Sequence, residues 1–409
     1  MQPLESYSLF DPEIAESPFA YYAELRKRAP VYKMPIGMWI VSSHALCLEA
    51  MRDAEAFSSK FIQAMGLPGS DAQPGDIDEA AIVGPSTLLA NDPPSHTHFR
   101  KLVNKAFSPN RVKKISHSIE QISDALIAKI ETQGRFEAIT DFAIPLPLTV
   151  IADQLGVSRN DLARFKKWSD ATVLPISGMA TPEQLLESLE LTKELQAYFL
   201  ERIEERRLER RDDMLSDLVY AQLDGERPLA DLEIVSVLLQ FLVAGNETTT
   251  SLLGAWLQYA LQSPAELAKV QADRSLLPNS IEEAVRLETP VSGMWRVTTR
   301  NVKLGDEEIP KGSMVMLRYA AANRDEAIFE DAEAFKADRP NVREHLGFGM
   351  GVHYCPGAAL AREEARIGLG MILDRLPNLR LGEDNDFAHN PSMLLRGLKK
   401  LNLEFDPAK

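Results

Sequence analysis

The chain has 409 residues, 45% of them hydrophobic, and a formal net charge of −15. Such an acidic balance excludes nucleic acid as a general partner, and two cysteines exclude a disulfide framework. Glycine and proline are scattered rather than blocked, so one folded domain over residues 1–409 is expected, with material for a core and an enclosed pocket.

In chain order, the first residues, Met1 to Glu13, carry neither a basic nor an apolar leader segment. Val31 to Ser43 alternates apolar residues around Pro35-Ile36-Gly37 and predicts a β-hairpin. Lys60 to Asn91 is rich in Gly, Pro and Asp without a steady period and predicts a long, mobile loop. Helical periodicity then runs from His96 to about Leu287, with breaks near Gly134, Pro145, Pro175 and Gly225. Its first part is basic: between Pro93 and Ile119 stand Arg100, Lys101, Lys105, Arg111, Lys113 and Lys114 and no acidic residue. Its longest apolar run, Ile234 to Ala244, is too short to span a bilayer and is interrupted by Gln240. With few cysteines, this predicts a cytoplasmic protein without membrane contact. Arg296 to Leu317 changes to short alternating runs, a small sheet; Pro356 to Leu376 is helical, and Ser392 to Phe405 reads as paired strands. The composite is mainly α with a minor β part.

Two stretches carry chemistry. In Phe348-Gly349-Met350-Gly351-Val352-His353-Tyr354-Cys355-Pro356-Gly357, closely spaced glycines let the backbone turn tightly and approach a flat ligand. Cys355 precedes Pro356, a favoured first helical residue, and a thiolate at a helix N-terminus is stabilised by the dipole and free N–H groups. No second Cys or His stands at zinc spacing; His353 alone completes no such site. Within a helix expected over Ala230 to Gln262, Ala244-Gly245-Asn246-Glu247-Thr248-Thr249 places a glycine that costs about 1 kcal/mol mid-helix, a cost that close approach to a cofactor would offset. Thr248, four residues after Ala244, is placed to bond its carbonyl and open the helix locally, and an acid beside an alcohol can relay protons.

The cysteine loop resembles the haem-binding signature of the cytochromes P-450, and the Glu247–Thr248 string resembles that family's acid–alcohol pair. The resemblance extends over nearly the whole chain. It implies a triangular helical prism with small sheets and a heme b between the oxygen-activation helix and the cysteine-loop helix. Cys355 would bind the iron. Phe348, Gly349 and Gly357 would shape its loop, Ala244 and Gly245 would face the cofactor, and His96, Arg100, Arg296 and His353 would hold the propionates. Glu283 and Arg286, three apart on a helix and by themselves an ordinary surface bridge, would form with Arg339 a buried scaffold. Glu247 and Thr248 would be catalytic. Leu239, Val243, Val291, Met294, Trp295, Met393 and Leu394 would line the substrate pocket, with flanking stretches at Lys60 to Asn91 and Val173 to Met179, while Arg396 would face solvent. The implied activity is O2-dependent hydroxylation of an apolar small molecule: a terpenoid, steroid, fatty acid or aromatic compound. Electrons would come from NAD(P)H through an acidic ferredoxin or flavodoxin and its reductase, docked on the basic run, with no reductase fused after Cys355. Peroxide-driven or non-oxygenating chemistry on the same scaffold, or a haem-binding sensor, are the alternatives; the acid–alcohol pair argues against each.

Overall fold

A computed structural model describes residues 3–407 apart from 8, 10, 63–84, 178, 179, 224 and 226. The main helices are α1 (Phe19–Arg28), α2 (His44–Arg52), α3 (Ser95–Ala106), α4 (Pro109–Ile130), α5 (Pro145–Gln154), α6 (Leu162–Val173), α7 (Pro182–Leu208), α8 (Asp231–Gln262), α9 (Pro264–Ala272), α10 (Leu277–Glu288) and α11 (Ala358–Arg375). Local chemistry starts them. Ser108 accepts from the Arg111 N–H ahead of Pro109 in α4. Thr181 and Gln184 cap α7 reciprocally, and Glu233 reaches back to the Ala230 N–H at 2.7 Å to begin α8.

The strands are short: β1 (Val31–Lys33), β2 (Trp39–Val41), β3 (Phe57–Ser58), β4 (Arg135–Glu137), β5 (Met294–Thr298), β6 (Val302–Leu304), β7 (Glu307–Ile309), β8 (Met314–Leu317), β9 (Arg380–Leu381) and β10 (Asn402–Glu404). The hairpin predicted around Gly37 is β1–β2, which turns with that glycine at φ +85°. A five-stranded sheet runs β1-β2-β8-β5-β3, with only the β2–β8 pair parallel. The expected sheet over Arg296 to Leu317 therefore divides: β5 and β8 join the strands near the N-terminus, and β6–β7 is a separate hairpin. The tail differs too. Only β10 is a strand, between β4 and β9, while Leu395 contributes an isolated bridge to Val291. Pro145 opens α5 directly after a π-helical turn at Ile139–Ala143, because the N–H it lacks has no partner in a first turn.

The long helix α8 runs through the interior against α5, α10 and α11. Glycines set these approaches. A Cβ on Gly254 of α8 would lie 2.7 Å from Ile139, and one on Gly368 of α11 would lie 2.9 Å from Leu146. Among the described residues no helix is long and apolar enough to cross a membrane.

Behind these helices Glu283 accepts from Arg286 at 2.7 and 2.8 Å and from Arg339 at 2.8 and 2.9 Å, all three excluded from solvent. The remaining guanidinium N–H groups donate to the carbonyls of Asn323, Glu330, Asp331, Ala332 and Ala334. Removing the carboxylate leaves two buried cations uncompensated. Glu283→Ala should destabilise the protein by about 3–5 kcal/mol or more, read as a lowered midpoint in urea unfolding followed by circular dichroism.

Candidate active site

The cysteine loop is built by backbone turns. The Cys355 N–H donates to the Phe348 carbonyl at 2.8 Å, and Gly349 and Gly351 both take φ of +68°. At Gly351 a Cβ would stand 3.0 Å from the Met51 carbonyl oxygen, so this turn both needs the left-handed region and lacks room for a side chain. Helix α11 begins at Ala358, with Gly357 as its cap, later than Pro356; its first full bond runs from the Ala361 N–H to the Gly357 carbonyl. Cys355 is half-buried. Burial pushes its thiol up, opposed by the N–H groups of Gly357 and Ala358 and by the charges of Arg100 and Arg362.

Phe348 is held from one side of that loop. The Arg362 guanidinium lies 4.3 Å from its ring centroid and also bonds Glu282, at 2.5 and 2.9 Å, and the Tyr354 hydroxyl at 3.1 Å. His345 Nε2 bonds the same Glu282 at 2.9 Å. Burial alone would raise Glu282, but His345 and Arg362 hold it down at about 2.

Halfway along α8 the helix opens to solvent: Ala244 is exposed, and Val243, Gly245, Glu247 and Thr248 are half-buried. The Thr248 hydroxyl donates to the Ala244 carbonyl at 2.6 Å, yet α8 is helical throughout, so the expected local opening does not occur. A carbonyl oxygen has two lone pairs, and the hydroxyl adds to the ladder bond without displacing it. At Gly245 a Cβ would meet Ile151 of α5 at 3.4 Å, an ordinary van der Waals contact. Burial raises the Glu247 carboxyl, Lys166 opposes this and Asp170 adds to it.

Two arginines and two imidazoles converge at another edge of the site. His96 is buried with no hydrogen-bond partner for Nδ1 among the described residues, and its ring centroid lies 4.3 Å from that of His353. His353 Nε2 contacts the Ser59 hydroxyl at 2.9 Å, Arg100 donates to the Tyr354 carbonyl at 2.6 Å, and buried Arg296 donates to the Trp295 carbonyl at 2.7 Å. Burial, then Arg296, His96 and Arg100, push His353 down to about 3. The carboxylate of nearby Asp92 is already taken by Ser58 and the Ser59 N–H. A buried imidazole nitrogen that lacks a partner among the described residues, beside two arginines and with the Asp92 carboxylate already engaged, fits an anionic group from outside the chain. With a sulfur at the head of α11 and an open face on α8, these residues fit a haem and its two carboxylates.

Other predicted residues are distributed differently. Leu239, Val243, Val291, Met294 and Met393 are half-buried, whereas Trp295 and Leu394 lie in the core with Tyr21, Ile40 and Phe61. In β5, strand alternation turns Met294 and Trp295 to opposite faces. Arg396 is buried against Glu288, 3.3 Å away, and is thus neither solvent-facing nor free to bind a substrate. Within the basic run Arg111 is buried in an ion pair with Asp212, which also draws Lys114, leaving Lys101 and Lys113 exposed. Much of the Lys60 to Asn91 loop and the end of the Val173 to Met179 stretch lie outside the described residues; of that loop, 85–91 is anchored to α8 by Gln240 and Ser236.

One residue of the site carries no sequence signal beyond being an acid in a helix. Glu364 of α11 is buried beside Thr249 of α8, and burial pushes its carboxyl up to about 8 against that hydroxyl's hydrogen bond. It holds a proton at neutral pH inside the interface between the two site-bearing helices. Between about pH 5 and 8 the folded chain binds this proton and the unfolded chain does not, so stability falls as pH rises, by at most about 1.4 kcal/mol per pH unit. Glu364→Gln should flatten that slope, measured as unfolding midpoints of parent and variant at both ends of the range.

The fold and this arrangement have known counterparts. The family model described as Cytochrome P450 matches residues 31–405. Cytochrome P450 107B1 of Saccharopolyspora erythraea is 36% identical over 402 residues, covering 96% of each chain. A steroid C26-monooxygenase of Mycobacterium tuberculosis is 34% identical over 391 residues, covering 95% of this chain and 94% of its own. The solved structure of CYP109Q5 from Chondromyces apiculatus superposes with a TM-score of 0.88 at 36% identity, covering 99% of this chain and 100% of its own. Matches of that length, on a mainly helical fold with small sheets, make this chain a member of the cytochrome P450 family, the haem-iron monooxygenases that use O2 and redox partners.

Proposed function

We propose that the chain binds heme b through Cys355 and hydroxylates an apolar small molecule, with terpenoid, steroid, fatty acid and aromatic compounds as the classes to test. The observation that carries this is the Cys355 sulfur at the head of α11, flanked by the N–H groups of Gly357 and Ala358 and by Arg100 and Arg362. When bound, the haem supplies O2 activation and insertion of one oxygen atom into a C–H bond. The chain's own residues do the rest. Cys355 gives an anionic ligand whose charge the four flanking groups stabilise. His96, Arg100, Arg296 and His353 bind the carboxylates and fix the plane of the group. Half-buried Glu247, near Lys166 and Asp170, exchanges a proton with the outside, and the Thr248 hydroxyl, whose own proton is held on the Ala244 carbonyl, presents an acceptor oxygen beside the open face of α8. The half-buried apolar residues Leu239, Val243, Val291, Met294 and Met393 exclude water and favour an apolar substrate. The steroid-directed activity named for the mycobacterial relative supports testing steroids first.

Electrons arrive from a separate acidic ferredoxin or flavodoxin. Exposed Lys101 and Lys113, with Val352 and Tyr354 protruding beside Cys355, support docking on that face. The unpaired thiols of Cys47 and Cys355 fit a reducing, cytoplasmic compartment.

Three measurements test this reading. The dithionite-reduced protein with carbon monoxide should give the red-shifted Soret band of a cysteinate-ligated haem, and Cys355→His should lose it; its absence in the reconstituted parent overturns the proposal. Thr248→Ala and Glu247→Gln should keep the band and lower product formation by about 10²-fold. Lys101→Glu with Lys113→Glu should slow reduction by an acidic ferredoxin about tenfold at low ionic strength, a difference that vanishes at high salt.

A further inference from the structure

The polar residue that interrupts the apolar face of α8 has work that the chemistry above does not use. Gln240 lies four residues before Ala244, among Val237, Leu238, Phe241 and Leu242, where an unpaired amide is costly. Its groups are engaged with the stretch before α3. Oε1 accepts from the Leu89 N–H at 2.9 Å; Nε2 donates to the Thr87 hydroxyl at 2.6 Å and to the Ser236 carbonyl at 3.1 Å. One turn earlier the Ser236 hydroxyl donates to the Pro85 carbonyl at 2.8 Å. Asn91 extends the contact, donating to the Thr87 carbonyl and the Ser95 hydroxyl, both at 3.1 Å. Side chains of α8 thus replace regular structure as the partners of residues 85–89.

This staple places apolar side chains on either side of one exposed leucine. Leu88 is buried with Phe99, Ile234, Leu238 and Phe241, and Ala90 is buried with Phe61, Trp295 and Leu394. Leu89 between them stays 42% exposed, and its N–H is the one Gln240 holds. On the same helix, one turn on, the exposed residue is Ala244.

We propose that Gln240 is a specificity-determining positioning residue: by holding the Leu89 amide and Thr87 it fixes the wall of the pocket over Ala244 and so limits the bulk of the apolar ligand accepted there. This rests on the haem-thiolate reading. Its polar atoms are spent on the protein, so the wall offers a ligand apolar contact and no hydrogen bond from this residue.

The test uses the haem-loaded enzyme, with imidazole as the small iron-binding probe and 4-phenylimidazole as the bulky one, both followed by the shift of the Soret band. Gln240→Leu should keep the parental carbon monoxide band. Hydrogen exchange in the peptide covering 85–91 should accelerate at least about fivefold, the effect of about one hydrogen bond. Preference for 4-phenylimidazole over imidazole should rise about tenfold. Gln240→Glu, which keeps an acceptor for Leu89, should change both readouts less. Should Gln240→Leu fail to fold, Thr87→Val carries the same expectation. Unchanged exchange, or faster exchange with unchanged probe preference, overturns the proposal. A parent enzyme without the cysteinate band instead overturns the haem-thiolate reading on which it rests.

Discussion

One carboxylate shared by two arginines holds the interior together. Glu283 alone offsets the charges of Arg286 and Arg339, and the spare guanidinium N–H groups take up carbonyls from the segment between Asn323 and Ala334. Such an arrangement adds little net stability relative to a well-packed apolar core, because both charges are desolvated. What it imposes is geometry. The irregular segment has no ladder of its own, and the arginines are its partners. Its neighbour on α10, Glu282, binds His345 and Arg362 on either side of Phe348. Two adjacent acids therefore tie one helix both to the scaffold and to the cysteine loop.

The site shows the same economy in charge. Among the described residues no carboxylate pairs with Arg100 or Arg296 near His353, a costly state that a dianionic cofactor would relieve. Among other buried arginines, Arg111, Arg206 and Arg396 face Asp212, Asp213 and Glu288, whereas Arg318 is held by the Ser292 hydroxyl, the Met393 carbonyl and the Tyr22 ring. Near the opposite end of the acid–base scale, Glu364 keeps its proton because burial outweighs one hydroxyl contact, while Glu282, also buried, loses its proton because the His345 ring and the Arg362 guanidinium bond it.

What the sequence made legible is what local chemistry determines. The alternation around Gly37, the apolar period of α8 and the glycine-bounded cysteine loop all rest on residues within a few positions of one another. Partners distant in sequence left no mark. Arg362 and Glu282 are 80 residues apart, Arg111 and Asp212 are 101 apart, and Gln240 and Leu89 are 151 apart. Arg111 therefore reads as one more surface cation, and Gln240 as a flaw in an apolar run. Thr248 shows another limit: a spacing that permits a side-chain bond does not determine whether the helix yields to it.

The packing of α8 has a dimensional meaning. Ile151, Ile139, Leu146 and Phe142 all belong to the π-turn and α5, and each fits against a glycine: Ile151 at Gly245, Ile139 at Gly254, and Leu146 and Phe142 at Gly368. The first two glycines are on α8 and the third is on α11. A single short segment thus acts as a gauge block between the helix with the open face and the helix that starts beside the sulfur. The distance between those faces is set by side-chain sizes outside the site. A methyl group added at Gly254 or Gly368, where it would stand 2.7 and 2.9 Å from Ile139 and Leu146, or removed from the residues that fill those notches, would change the width of the slot without touching a residue that lines it.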